Sequence, residues 1–324
     1  MTPRTRIVLA SFALLALAIA CLRFVIGPGG VGLPDDELIA RIRAVNIWNA
    51  ALVGAALGVA GVLLQSLLRN PLAAPDLMGL SAGAGLGVTL ATLGAGGALG
   101  VGASAPPALI GAIGALAFVW VLSQRRGLID PITMVLVGVI LSVVLGAATM
   151  LAASRMPDRG FATARWMMGS LREDLTIPQL AAATLLTLGL IAWSVAGAHA
   201  YDACALGEDE ARSVGVRLAR VRISQLLGAG ALTTVSIVLA GPIGFVGLVS
   251  PHLVRLLIGP AHRTLLIGSA LAGASLVLGA DALSRTVRTD AGLVPIGVLT
   301  ALVGGPVFLA MLVHERRAGT LGAS

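Results

Sequence analysis

Residues 77–124 read LMGLSAGAGLGVTLATLGAGGALGVGASAPPALIGAIGALAFVWVLSQ and contain no charged side chain. About 20 apolar residues cross the hydrocarbon core of a bilayer as a helix, so this run is too long for one span and fits two. Glycine and proline crowd the section from Gly94 to Pro107, and both residue types interrupt helices. The stretch therefore predicts two membrane helices joined by a short loop. It sets the fold class as an all-α, polytopic membrane protein.

The same reading extends outward in both directions. Uncharged windows at 44–68, 132–153, 177–198 and 293–313, and the window 264–284 with Asp281 as its one charge, each predict one span. The window 223–254 is again too long for one, and Gly241-Pro242 divides it into a full helix and a shorter one. Arg4 and Arg6 precede an apolar run from Ile7 to Leu22. Ala18-Ile19-Ala20-Cys21 approximates a lipoprotein cleavage site, but leucine is missing three positions before the cysteine and many spans follow, so this run reads as an uncleaved first helix. Residues 27–45, with Asp35, Asp36, Glu37, Arg41 and Arg43, read as an outer loop, and 154–176 as a second one holding a short helix around Trp166. The result is a single transmembrane domain over residues 1–324 with about ten spans and both termini on one side.

Composition agrees. Of 324 residues, 57% are hydrophobic and 11% charged, with a mean hydropathy of +0.97; no soluble domain of this size needs so much apolar sequence. The 42 glycines suit helices packed through small residues. The net charge of +7 comes from arginines scattered through short loops, which fits anionic lipid and the positive-inside bias and gives no basic domain for nucleic acid. There is no lysine, so a Walker A loop cannot exist in this chain. Two cysteines give no disulfide framework.

Charge concentrates in residues 202–222, DACALGEDEARSVGVRLARVR. Gly207 can open a helix whose first turn holds Glu208, Asp209 and Glu210, where the positive end of the helix dipole favours acids. Arg212 lies near its end and Gly215 supplies a stop. Residues 216–222 then begin a basic helix that runs into the next span. Leu206, Ala211 and Val214 are available for contact in this knob. The arginine bias places it on the cytoplasmic side. By composition alone an ordinary solvated loop fits equally well.

Ionisable groups within spans mark ion-coupled transport. Here Asp76 and Asp130 fall in loops and Asp281 lies near an outer helix end. That weakens an ion-coupled secondary transporter without excluding it, because backbone carbonyls also bind sodium. His199, His252, His262 and His314 are scattered, so no metal site is expected, and no nucleophile–base arrangement emerges. Gly138, Ser142, Leu145 and Thr149 share a helical stripe in the fifth span. The stripe fits a translocation path or plain packing through small residues.

Several strings identify a resemblance. They are GAALG at 54–58, GVLLQ at 61–65, RNPLA at 69–73 and MGLSAGA at 78–84. WMMGSL at 166–171, ALGE at 205–208 with Ala211, Arg212 and Gly215, GFVGLV at 244–249, PHLVR at 251–255 and PIGV at 295–298 complete them. Together they resemble the FecCD-type permeases, membrane subunits of ABC importers for iron chelates and vitamin B12, in the right order over nearly the whole chain. Two positions depart from that pattern. Val45 and Asn46 stand where the family has proline and a second arginine entering the second helix. Leu293 stands where it has an acid two residues before Pro295, although Asp290 is near.

The resemblance implies a type II importer fold in an inner-membrane homodimer with the path at the interface and both termini cytoplasmic. Two ATPase subunits would bind ATP and Mg, leaving this chain non-enzymatic and without a cofactor. They would receive Ala205, Leu206, Gly207, Glu208, Ala211, Arg212 and Gly215. A periplasmic or lipid-anchored binding protein would dock near Arg43 and Arg285. The implied cargo is a ferric siderophore first, with heme or cobalamin next.

Overall fold

The computed structural model describes residues 2–27, 30–34, 36–96, 101–125, 128–156, 166–289 and 292–317. Its helices are α1 (Pro3–Val25), α2 (Glu37–Leu68), α3 (Leu80–Gly94), α4 (Ala105–Leu122), α5 (Pro131–Ala153) and α6 (Ile177–Ala196). They continue with α7 (Ala198–Leu206), α8 (Glu208–Ser213), α9 (Leu218–Ala240), α10 (Val246–Ile258), α11 (His262–Thr286) and α12 (Ile296–Arg317). Seven of these are long and apolar enough to cross a bilayer: α1, α2, α4, α5, α6, α9 and α11. Three shorter apolar helices, Leu80–Gly94, Val246–Ile258 and Ile296–Met311, coincide with the remaining predicted segments. Three two-residue antiparallel hairpins, Ile26–Gly27 with Gly30–Val31, Gln124–Arg125 with Leu128–Ile129, and Arg288–Thr289 with Gly292–Leu293, turn the chain between helices.

Residues 27–45 are not the loop that their charges predict. After the first hairpin, α2 already begins at Glu37, capped by the Asp36 carboxylate accepting from Leu38 N–H at 3.2 Å. Charged residues mark the part of a helix that emerges from hydrocarbon, and a charge-free window therefore measures the buried portion only. Arg43 accordingly sits inside α2 rather than ahead of it. The twelfth helix likewise starts at Ile296, with Leu293 in a hairpin strand.

Helices α2, α9 and α11 form the interior, while α1, α5 and α6 lie mostly on the outside. The α2–α11 contact is backbone to backbone. A Cβ on Gly54 would lie 2.2 Å from Gly273 O, and one on Gly58 2.1 Å from Ser269 O. Further along, a Cβ on Gly61 would meet Gly247 O of α10 at 1.8 Å. With no hydrophobic driving force between helices in lipid, this close approach supplies the dispersion contact that holds them. Gly61→Ala should therefore cost about 1–3 kcal/mol or more, since the obstruction is main chain and cannot rotate away. Gly189→Ala in α6 meets open space and should gain up to about 1 kcal/mol of helix propensity. Thermal unfolding of both variants in one detergent checks the contrast.

The predicted break at Gly241-Pro242 is present. Gly241 (φ +66°) ends α9 and Phe245 (φ +67°) opens α10.

Candidate functional site

The charged stretch forms a surface knob. Gly207, at φ 150° and ψ 161°, joins α7 to the six-residue α8, with Glu208, Asp209 and Glu210 in the first turn and Arg212 in the last. Gly215 (φ +83°) turns the chain out of α8, its N–H donating to Arg212 O at 3.0 Å. Val216 N–H donates to Ala211 O at 2.9 Å. Of the three apolar residues available for contact, Leu206 and Val214 are 80% and 69% exposed, whereas Ala211 is buried beneath the turn. The basic helix expected at 216–222 is the first turn of α9 itself.

Glu208 holds the knob to the body. Its carboxylate accepts from Arg222 Nη2 of α9 at 2.5 Å and lies 3.8 Å from both Arg69 and Arg212. Arg222 also donates to Ile129 O at 2.9 Å, and Arg69, in the left-handed cap of α2, donates to Cys204 O at 3.1 Å. The partners Arg69 and Arg222 are too far from Glu208 in sequence for any helical spacing rule to find. An i,i+4 search reaches Arg212 alone.

A groove of about 600 Å³ opens at membrane depth, lined by Asp76, Ser81, Ser142, Met168 and Gly244 among others. Asp76 lies in a 3-10 turn, Pro75–Met78, that doubles back after α2. A Cβ on Gly247 would touch Pro75 Cδ at 2.8 Å and Leu57 O at 3.0 Å, which puts the turn level with Leu57. At 1.5 Å per residue that is about 16 Å above the end of α2 at Leu68. The expectation that Asp76 belongs to an ordinary loop is thus corrected: the segment re-enters the membrane region. Non-helical backbone is tolerated at that depth where it packs on protein or lines a cavity. Ser81 Oγ donates to Asp76 Oδ1 at 3.4 Å.

The stripe on α5 divides. Ser142 faces the groove and donates to Gly138 O at 2.8 Å. Gly138 is a packing contact, since a Cβ there would lie 1.9 Å from Leu77 O. Thr149 is buried and donates to Leu145 O at 2.8 Å.

At the opposite end of the molecule both candidate docking arginines are engaged within the chain. Arg43 Nη1 donates to Phe24 O at 2.7 Å and to Gly32 O at 2.8 Å, clasping the first hairpin to the end of α1. Arg285 lies in the last turn of α11 with an 8% exposed side chain, 2.7 Å from Glu173 and 3.5 Å from Asp281. Arg172 pairs with Asp174 at 2.8 Å, and hydrogen bonding from its guanidinium holds that carboxyl below the usual range. Asp281 lies near the end of α11, as expected, and is buried there; its partner is Arg23 of α1 at 2.5 Å. Asp290 and Arg126 fall outside the described residues. Among the described residues no group of three His, Cys, Asp or Glu side chains could hold a metal.

Comparison with known proteins covers most of the chain. The profile of the FecCD transport family matches residues 7–314. The hemin transport system permease HmuU of Yersinia pestis is 36% identical over 85% of this chain and 83% of its own length. The cobalamin import system permease BtuC of Halobacterium salinarum is 35% identical over 87% and 75%. The Fe(3+) dicitrate permease FecD of Escherichia coli is 36% identical over 86% of each. A solved inward-facing structure of an ABC transporter assigned to the metal-chelate type superposes with a TM-score of 0.84 at 29% identity, over 96% of this chain and 99% of that one.

Proposed function

The chain belongs to the FecCD transport family, and we propose that two copies of it form the translocation path of an inner-membrane importer for a ferric siderophore. It is a multi-pass permease subunit of a binding-protein-dependent ABC importer of the iron-chelate, heme and cobalamin group. In the proposed assembly both termini are cytoplasmic, two separate ATPase subunits bind ATP and Mg beneath the dimer, and a periplasmic or lipid-anchored binding protein delivers cargo from outside. Residues 1–324 act as one transmembrane domain. Arg43 and Arg285 belong to the docking platform, where they hold the hairpin and Glu173 in place for the binding protein.

The observation that carries this reading is the knob. A chain with no lysine, and so no Walker A loop, presents Leu206 and Val214 at the two ends of a short helix jointed at Gly207. Exposed apolar side chains framed by charge suit a partner's surface cleft. Ala205, Gly207, Glu208, Ala211, Arg212 and Gly215 shape that surface. The test is uptake by vesicles that contain the permease, its ATPase and its binding protein, with labelled iron chelates, heme and cobalamin. ATP-driven uptake of a ferric siderophore is expected. Uptake that survives without ATP and collapses with an ion gradient would overturn the reading.

Asp76 ranks the cargo. A carboxylate in the groove disfavours anionic cargo, such as heme with its two propionates, and favours neutral or cationic chelates. Asp76→Asn should narrow the preference for a cationic over an anionic ferric chelate by roughly fivefold, which corresponds to about 1 kcal/mol for one charge pair in a hydrated groove. Competition between two such chelates in the vesicle assay measures it, and an unchanged ratio would remove Asp76 from cargo selection.

A further inference from the structure

Four helices meet through one directed chain of hydrogen bonds beside the knob. Gln225 Nε2 of α9 donates to Ser66 Oγ of α2 at 2.8 Å. Ser66 Oγ lies 3.0 Å from His262 Nε2 at the first residue of α11, and His262 Nδ1 lies 2.7 Å from Asp202 Oδ1 of α7. The His262 backbone N–H also donates to that Asp202 oxygen, at 2.8 Å. Because a carboxylate only accepts, Nδ1 carries the proton and Nε2 is left to accept from the Ser66 hydroxyl. Every member is then satisfied, and the donors run in one direction from Gln225 through Ser66 and His262 to Asp202. Tyr201 seals the ring edge-on, with centroids 5.8 Å apart.

We infer that the Gln225–Ser66–His262–Asp202 chain transmits movement of the knob to the groove, with His262 as the positioning residue at its joint. Asp202 stands on α7, the helix that runs into Gly207 and α8, so a displacement of the knob that carries α7 with it moves this carboxylate. His262 passes that displacement to two helices at once. Its backbone is the start of α11, and its ring holds the last turn of α2. Those two helices touch main chain to main chain at Gly54–Gly273 and Gly58–Ser269, so they respond as one rigid body. The Pro75–Met78 turn that carries Asp76 is joined to α2 through residues 69–74 and packs on Gly247. The path from knob to groove is therefore continuous through packed groups, with Asp202–His262 the polar link to α11, beside the contacts of Glu208 with Arg222 and Arg69. This inference rests on the knob being the ATPase contact.

The experiment uses the full chain with Cys21→Ser and Cys204→Ser, a single Ser142→Cys in the groove, and its ATPase subunit in lipid nanodiscs. Maleimide labelling of residue 142 is timed without nucleotide and after trapping with ATP and vanadate. The background protein should label at different rates in the two states. His262→Ala and Asp202→Ala should compress that difference by about tenfold while ATPase binding and basal hydrolysis persist. Asp202→Asn keeps an accepting oxygen and should retain the response. Asp202 is partly exposed, so its alanine variant remains informative if His262→Ala misfolds. An alanine variant of Asp202 that responds like the background overturns the inference. So does one that has simply lost the ATPase, since Asp202 would then be a docking residue. If the background protein binds no ATPase, or shows no nucleotide response, the proposed function itself fails, and that outcome is read before any variant is made.

Discussion

Replacing Asp281 with alanine is expected to destabilise the purified protein by about 3–5 kcal/mol, the cost of breaking a buried ion pair from one side. Arg23 and Asp281 are each 1% exposed and 2.5 Å apart, and they join α1 to α11. Arg23 Nη1 also donates to Ile26 O at 2.7 Å, which fixes the guanidinium where it stands. Without the carboxylate it cannot swing to water and remains as an uncompensated buried charge. Arg285 makes matters worse, because its Nε lies 3.5 Å from the other Asp281 oxygen. Removal of the acid leaves two guanidinium groups around one cavity. Helix α1 packs mainly on α11, with only 11% of its apolar window buried. Its separation from α11 should be the first step of unfolding. The paired replacement Arg23→Met with Asp281→Leu should recover most of the loss, since a well-packed apolar pair is often as stable as the ion pair it replaces. Arg285 keeps Glu173 at 2.7 Å in that background. Denaturant titration in detergent compares the three proteins. A single variant within about 1 kcal/mol of wild type would mean that water reaches Arg23 and that the pair is a surface one.

The spans were legible because hydrocarbon imposes a length and a composition together, and windows such as 132–153 satisfy both. The knob was legible for a related reason. Gly207 and Gly215 bracket acids followed by Arg212, and that order is dictated by the dipole and by the left-handed exits of short helices. Depth was not legible. A re-entrant turn and a surface loop have the same sequence, and only the clash-free fit of Pro75 against Gly247 places Asp76 beside the groove. Nor was engagement legible. Arg43 and Arg285 lie at the end of the molecule opposite the knob, and their partners, the carbonyls of Phe24 and Gly32 and the carboxylate of Glu173, are set by tertiary contacts. The same holds for Ser66, His262 and Asp202, three polar residues spread over three helices that no local pattern connects.

The largest functional effect is expected at the knob, from Gly207→Val and Glu208→Arg. Gly207 occupies φ 150° and ψ 161°, a region essentially closed to residues with a Cβ and worth about 1–3 kcal/mol of strain when one is forced into it. A Cβ there would also lie 1.8 Å from Glu210 Oε2. That carboxylate can rotate aside, but the backbone cannot keep its angle, so valine should swing α8 away from α7. Glu208→Arg attacks the same joint through charge. It removes the carboxylate shared by Arg222, Arg69 and Arg212 and adds a fourth guanidinium at the positive end of a helix. Arg222 still has Ile129 O and Arg69 still has Cys204 O, so the membrane helices should fold and insert normally. What should fail is the orientation of Leu206 and Val214 toward the ATPase. A weakening of ATPase association by about tenfold or more corresponds to the loss of one well-oriented contact of about 1.4 kcal/mol or more. Uptake per ATP should fall with it. Association is measured by titrating the ATPase onto nanodisc-held permease, and insertion by the amount of folded protein recovered from the membrane. Full association together with full coupled uptake in both variants would reduce the stretch to a solvated loop and move the ATPase contact elsewhere.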